Sequence, residues 1–187
     1  DILLADPARR VVVVSAPGKR SRDDTKVTDL LIACADAALA GRETGGLLAE
    51  VVGRYAAIQQ GLGLDAGVVG RIEANLRARL AGDRSDPGRF KDLLKAAGED
   101  FSAMLVAEAL KARGAAACYM HPAEAGMLLE GEAGNATLCN ESYARLAASL
   151  GRELAAQAQA IVVFPGFFGV TRDGAVATFP RGGSDIT

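Results

Sequence analysis

The sequence is poor in the residues on which much hydrolytic and metal chemistry depends. In 187 residues it holds one histidine and three cysteines. The histidine, His121, precedes Pro122 in a turn with no acid pattern beside it, which argues against a Ser-His-Asp or Cys-His hydrolase. Cys34, Cys118 and Cys139 are odd in number and widely spaced, on an apolar helix, an apolar strand and a polar loop respectively. They outline neither a disulfide framework nor a zinc site. Charge of one sign is also missing, with 21 Lys and Arg against 23 Asp and Glu, a net charge of -2 and a pI near 5.5. The basic residues are scattered, so nucleic acid is a poor partner. No apolar run approaches the roughly 18 residues that span a bilayer, and no charged segment leads into an apolar one as in a signal peptide. A soluble cytoplasmic protein is expected, with no membrane partner.

What is present is a chain that is 50% hydrophobic, enough for one sizeable core and one domain. Val11 to Val14 read as a fully buried parallel strand, closed by Ser15-Ala16-Pro17-Gly18 and a polar loop over residues 19–24. Helical spacing follows over 25–40, 45–60 and 65–80. A surface loop over 82–88 leads to a helical region over 89–113 that is interrupted at Gly98-Glu99. Glycine inside a helix costs about 1 kcal/mol against alanine, so the helix is expected to end there and restart with Glu99 near the new N-terminus. Residues 115–120 read as a strand, 123–134 as irregular or a short helix, and 141–159 as a helix. Ile161 to Phe164 form a buried strand, and Arg172-Asp173-Gly174 turns a hairpin between 169–171 and 175–179. Strands alternating with helices predict an α/β fold, a three-layer α/β/α sandwich with a mostly parallel central sheet. Both ends read as cut. Residues 1–5 look like the tail of a helix, and Thr187 falls where another helix should begin, so a fragment is expected.

Four places could carry chemistry. Ser15 to Lys19 lie at the carboxyl end of a buried strand, where open α/β sheets bind ligands. They are equally readable as a plain strand exit, and they lack the Walker A spacing. Lys26 and Thr28 open the next helix, where a surface cation and an N-cap are the ordinary reading. Glu99 would be favoured at a helix start by the dipole alone, yet it sits in Gly98-Glu99-Asp100-Phe101-Ser102, a break with two acids and a hydroxyl. Arg181, Gly182, Gly183, Ser184 and Asp185 form the most specific element. The glycines let backbone approach an anionic ligand, Ser184 or Asp185 could cap a helix, and arginine grips carboxylate through two hydrogen bonds.

In order, VVVVSAPGKR with TKVTDLL, GEDFSAMLVAEALKARG, GNATLCNESY and VVFPGFFGVTRDGAVATFPRGGSDIT resemble the catalytic domain of the aspartokinases, within the amino acid kinase family. The resemblance implies ATP-dependent phosphorylation of the side-chain carboxylate of L-aspartate, with Mg2+, at the head of lysine, methionine and threonine biosynthesis. It also implies a homodimer. Glu99 then matches the residue that binds the substrate ammonium and Arg181 the one that holds a carboxylate. Ser15 and Thr28 match positions lining the aspartate and phosphate site. Gly182, Gly183, Ser184 and Asp185 match the segment around the substrate and the transferring phosphate, with Arg181 and Asp185 as the catalytic pair. Pro180 stands where many relatives have glycine. The family's Lys-Phe-Gly-Gly segment, nucleotide-binding half and regulatory ACT domains are not in this stretch, so residues 1–187 are expected to be a partial catalytic domain, inactive alone. Rival readings are a kinase for glutamate, acetylglutamate or a nucleoside monophosphate, or a non-catalytic amino-acid-binding domain of the same fold.

Overall fold

A computed structural model describes residues 2–157 and 159–180. Three parallel strands make the central sheet: β1 (Val11–Val14), β2 (Ala117–Tyr119) and β5 (Ile161–Pro165), in the order β1-β5-β2. Side chains alternate across a strand. Ile161 and Val163 therefore face helix α5 (Ala97–Lys111), meeting Ala103, Ala107 and Leu110. Phe164 faces the other way, onto Ala125, Met127 and, on helix α7 (Glu141–Ala156), Leu146. Helices thus cover both faces of a parallel sheet, as expected of the α/β class.

The four-valine run departs from its expected burial. Val11 and Val13 are 43% and 40% exposed, while Val12 and Val14 pack towards α5. β1 is an edge strand with one covered face among the described residues. A continuous apolar run signals burial on both faces, but only the period-2 half of it is used here. Residues 2–5 are turns, not the end of a helix.

Outside α5 lies a helical layer: α1 (Val27–Leu39), α2 (Gly45–Leu62), α3 (Gly67–Leu80) and α4 (Pro87–Lys95). Their apolar stripes converge on Leu31, Val51, Tyr55, Ile72, Leu76, Phe90, Leu94 and Phe101, all at most 1% exposed. α4 starts where Asp86 accepts hydrogen bonds from the Gly88 and Arg89 N–H groups, with Pro87 in the first turn. That Asp-Pro pairing is a strong start signal, and it places the helix two residues ahead of the expected 89. The short helix α6 (Pro122–Ala125) falls where an irregular segment or a short helix was expected, and the small antiparallel pair that follows, β3 (Leu129–Glu130) with β4 (Thr137–Leu138), was not expected. The hairpin β6 (Phe168–Val170) and β7 (Val176–Thr178) forms as expected, with Gly174 at φ 85° in its turn. Cys139, expected in a polar loop, is 3% exposed because its N–H binds the Leu128 carbonyl and its side chain packs with Leu128 and Val170.

The helical region ends and restarts as expected, with Glu99 in the first turn of the new helix, but the junction is Ala96 and not Gly98. α4 and α5 meet at Ala96, which keeps helical angles, and Gly98 lies inside the first turn of α5. A Cβ on Gly98 would stand 2.8 Å from the Ala16 Cβ and 3.4 Å from Leu31 Cδ1. The glycine permits close approach to the end of β1. Gly98→Ala should therefore destabilise the protein by about 1–3 kcal/mol through overpacking, despite the ~1 kcal/mol that alanine gains in helix propensity. Urea unfolding of the two forms checks this, and a raised midpoint for the variant would show that propensity governs the position.

Candidate functional site

The carboxyl ends of the three parallel strands converge on the start of α5. After β1 the chain passes through Ser15, which is exposed, to Ala16, whose N–H donates to Glu99 Oε1 at 3.2 Å. β5 ends at Pro165, and Gly166 N–H donates to the Val14 carbonyl at 3.0 Å. β2 ends at Tyr119, whose hydroxyl donates to Asp100. Glu99 and Asp100 are thus presented together at the edge where open α/β sheets bind ligands.

These two acids are treated differently by their surroundings. Asp100 is 2% exposed and paired with Arg79, which also donates to Asn75 Oδ1 at 2.7 Å and to the Leu93 carbonyl at 2.8 Å. Glu99 is 6% exposed, has no salt bridge among the described residues, and leaves Oε2 buried without a hydrogen-bond partner. Burial pushes its carboxyl up from 4.5 to about 7, and the N–H groups of Ala16 and of Glu99 itself offset only part of that. Burying an ionised group without a partner is costly, so a cation delivered by a ligand would satisfy it. Tyr55 holds the turn from behind, its hydroxyl donating to the Gly98 carbonyl at 2.7 Å.

The loop from β1 to α1 is braced from beneath by Arg54, which is 3% exposed. Its guanidinium donates to the carbonyls of Gly18 at 2.6 Å and Thr25 at 2.7 Å, and lies 3.0 Å from Asp24 Oδ2. Asp24 is held well below its ordinary pKa, first by its hydrogen bond with Arg20. The N-cap of α1 is Lys26, with no side-chain cap bond, and Thr28 lies half-buried in the first turn. Thr28 is therefore not the cap, and its hydroxyl has no hydrogen bond among those described. His121 is structural: Nδ1 accepts the Ala123 N–H at 3.2 Å, the ring packs on Phe168, and burial lowers its pKa. Ser15 and Glu99 are brought to one place through Ala16, and Thr28 opens the helix whose Val27 N–H meets the Pro17 carbonyl at 3.4 Å. Arg181, Gly182, Gly183, Ser184 and Asp185 lie outside the described residues.

Sequence reading missed two groups that support this edge. Arg54 and Arg79 looked like ordinary polar positions on amphipathic helices, and only the fold turns them inward. Asp92, on α4, was missed likewise: it is 1% exposed and accepts from the N–H groups of Gly134 at 2.8 Å and Thr178 at 2.9 Å. A cleft of about 250 Å³ lined by Tyr119, Glu124, Arg152 and Glu153 lies off β2 and does not include Glu99.

A parallel α/β domain with its polar groups gathered at the strand ends matches the model of the amino acid kinase family over residues 3–187, and the chain belongs to that family. Among individual relatives it is similar to aspartokinase 3 of Bacillus subtilis (strain 168), with 45% identity over 186 residues that cover 100% of this chain and 40% of that protein. It is 39% identical over 102 residues to the aspartokinase of Mycolicibacterium smegmatis, covering 54% of this chain and 23% of that one. Among solved structures, E. coli aspartokinase III in complex with aspartate and ADP (R-state) superposes with a TM-score of 0.75 at 28% identity, over 99% of this chain and 40% of that chain. Clostridium acetobutylicum aspartate kinase does so with a TM-score of 0.72 at 25% identity, over 99% and 38%. The chain spans at most 40% of the length of these relatives.

The pH dependence of stability follows from Glu99. Its carboxyl is about 7 in the folded state against 4.5 unfolded, so between those values the folded state holds the extra proton. Stability is then lost as pH rises from 4.5 through 7, by an amount on the order of 3 kcal/mol once both states are ionised. Glu99→Gln removes that dependence. Relative to wild type it should gain about 2 kcal/mol between pH 5 and pH 8, measured by urea unfolding at both values. An equal difference at the two pH values would mean that Glu99 does not titrate in this range.

Proposed function

We propose that the chain is the amino-acid-binding half of the catalytic domain of an aspartate kinase, which transfers the γ-phosphoryl group of ATP to the side-chain carboxylate of L-aspartate. The observation that carries this reading is the buried Glu99 carboxylate, with one oxygen at the strand ends that has no hydrogen-bond partner and no cation beside it among the described residues. The ammonium of an amino acid is such a cation. The likeness to aspartokinases over the whole chain supports aspartate as that amino acid.

In the reaction a side-chain carboxylate oxygen of aspartate attacks the γ-phosphorus, the bond from that phosphorus to the β,γ-bridging oxygen breaks, and ADP leaves with the electron pair. The products are 4-phospho-L-aspartate and ADP. No general base is needed, because the nucleophile is already ionised at neutral pH. The site must instead hold two anions in line and stabilise the spread charge of the transition state. Glu99 would orient the substrate by its ammonium and Arg181 by a carboxylate. Ser15 and Thr28 would offer hydroxyls to substrate and phosphate. Gly182, Gly183 and Ser184 would supply backbone donors, with Arg181 and Asp185 closest to the chemistry. The described residues form no group of three His, Cys, Asp or Glu able to hold a metal, so Mg2+ would arrive on the nucleotide phosphates and neutralise their charge there. A nucleotide-binding half and ACT domains elsewhere in the full protein, a homodimeric assembly and a cytoplasmic place in lysine, threonine and methionine biosynthesis complete the reading. No described helix is long and apolar enough to cross a membrane.

Calorimetric titration of the full-length protein with L-aspartate tests it. Glu99→Ala and Arg181→Ala should each abolish measurable binding while the protein stays folded, and unchanged binding would overturn the assigned roles. Aspartate affinity should also fall about tenfold per pH unit below pH 7, because the ammonium needs the ionised carboxylate. Transfer to glutamate in preference to aspartate, in an assay with both and with acetylglutamate and nucleoside monophosphates, would replace the substrate named here.

A further inference from the structure

Asp92 is the most completely satisfied buried acid beside the site. Oδ2 accepts from the N–H groups of Gly134 at 2.8 Å and Thr178 at 2.9 Å, and Oδ1 accepts from the Thr178 hydroxyl at 2.9 Å. Lys95 Nζ stands 2.6 Å from Oδ1 and donates to the Thr178 hydroxyl at 3.1 Å. One carboxylate therefore binds β7 through both the backbone and the side chain of a single residue, which fixes the strand in translation and rotation against α4. Apolar packing would bury the same area without that directional constraint, and a buried ion pair is weak evidence for stability in itself.

The two elements joined in this way lead to the two ends of the proposed amino-acid site. Asp92 carbonyl accepts from Ala96 N–H at 3.0 Å at the end of α4, and Ala96 carbonyl accepts from Asp100 N–H at 3.1 Å in the first turn of α5, so Asp92 and Glu99 lie on successive helices joined at Ala96. On the strand side, Thr178 is followed by Phe179, 2% exposed and bonded through its N–H to the Phe167 carbonyl at 2.9 Å. Arg181 stands three positions after Thr178 in the chain.

We propose that Asp92, together with Lys95 and Thr178, is a positioning residue for amino-acid binding: it ties α4, which passes through Ala96 into the helix that carries Glu99, to the strand that precedes Arg181 in the chain. The inference rests on the proposed aspartate kinase reading. It requires that loosening the Asp92 contact weaken the grip on the amino acid more than it affects the nucleotide, since Asp92 and Thr178 are buried and the elements they join lead to the proposed amino-acid site.

Steady-state kinetics of the full-length protein separate this from a role in stability alone, with aspartate and ATP varied in turn well below the unfolding temperature. Asp92→Asn should raise KM for aspartate roughly ten- to hundredfold, as a misplacement of about 1 Å does, with KM for ATP close to wild type. Thr178→Val, which keeps the backbone bond and loses the hydroxyl, should shift aspartate KM in the same direction by less. Thr178→Ser, which keeps both bonds, should restore wild-type behaviour. A merely structural defect would lower kcat through a smaller folded fraction and leave both KM values unchanged, and that result would overturn the proposal. Loss of aspartate binding in Glu99→Ala and Arg181→Ala alongside an unaltered KM in Asp92→Asn sinks this inference alone. Retained binding in those two variants sinks the reading on which it rests.

Discussion

The contact on which the site depends is the near-touching of two backbones, the first turn of α5 and the end of β1. It exists because Gly98 puts no side chain between them, where a Cβ would stand 2.8 Å from Ala16. Only at that separation does the Ala16 N–H reach the Glu99 carboxylate. The same approach removes Glu99 from water, and its raised pKa follows from that burial. Packing and electrostatics are one fact here. A side chain at position 98 would push the helix away, hydrate the carboxylate and bring its pKa back towards the ordinary value.

Around that contact the buried charges fall into two groups. Asp24 has Arg54, Asp92 has Lys95 and Asp100 has Arg79, and each pair ties a loop or strand to the helical layer. Such pairs cost desolvation that their attraction offsets only when the remaining lone pairs are also satisfied. Carbonyls, hydroxyls and backbone N–H groups do this for all three. Among the described residues, Glu99 alone in this set lacks a cation. An acid of that kind is expensive to keep for stability, and under the proposed reading the free energy withheld is returned when an ammonium enters. Perturbed and unpartnered, it marks the site more sharply than any cleft on the surface.

The layers and the order of elements were legible from periodicity, because long apolar stripes such as those of α1 and α3 and the Asp-Gly turn at Arg172 to Gly174 are local signals. Burial of β1 was not, since four valines say nothing about which face is covered. The helix break was legible but was placed on Gly98 in place of Ala96, because a glycine looks alike whether it ends a helix or admits a neighbour distant in the chain, as Gly98 admits Ala16. Glu99 was visible as a candidate from its local company of acids and glycine. Arg54, Arg79 and Asp92 were not, because their partners at Gly18, Asp100 and Thr178 are set by tertiary packing and leave no mark in the spacing of the chain.

The scarcity of histidine and cysteine is no obstacle to the proposed phosphorylation of a carboxylate. The nucleophile brings its own charge, so no proton has to be taken from it. What limits such a reaction is repulsion between the carboxylate and the phosphates, and that is answered by fixed dipoles and cations in place of an acid–base pair. A site of this kind is built from strand ends, a glycine-permitted close approach and charges locked from behind, each of which constrains position. Under the proposed reading, residues set back from the strand ends, such as Arg54 beneath its loop and Asp92 beneath its strand, would bear on the reaction through the positions they fix. Misplacing a fixed dipole by an ångström removes most of its advantage over water, which is free to reorient.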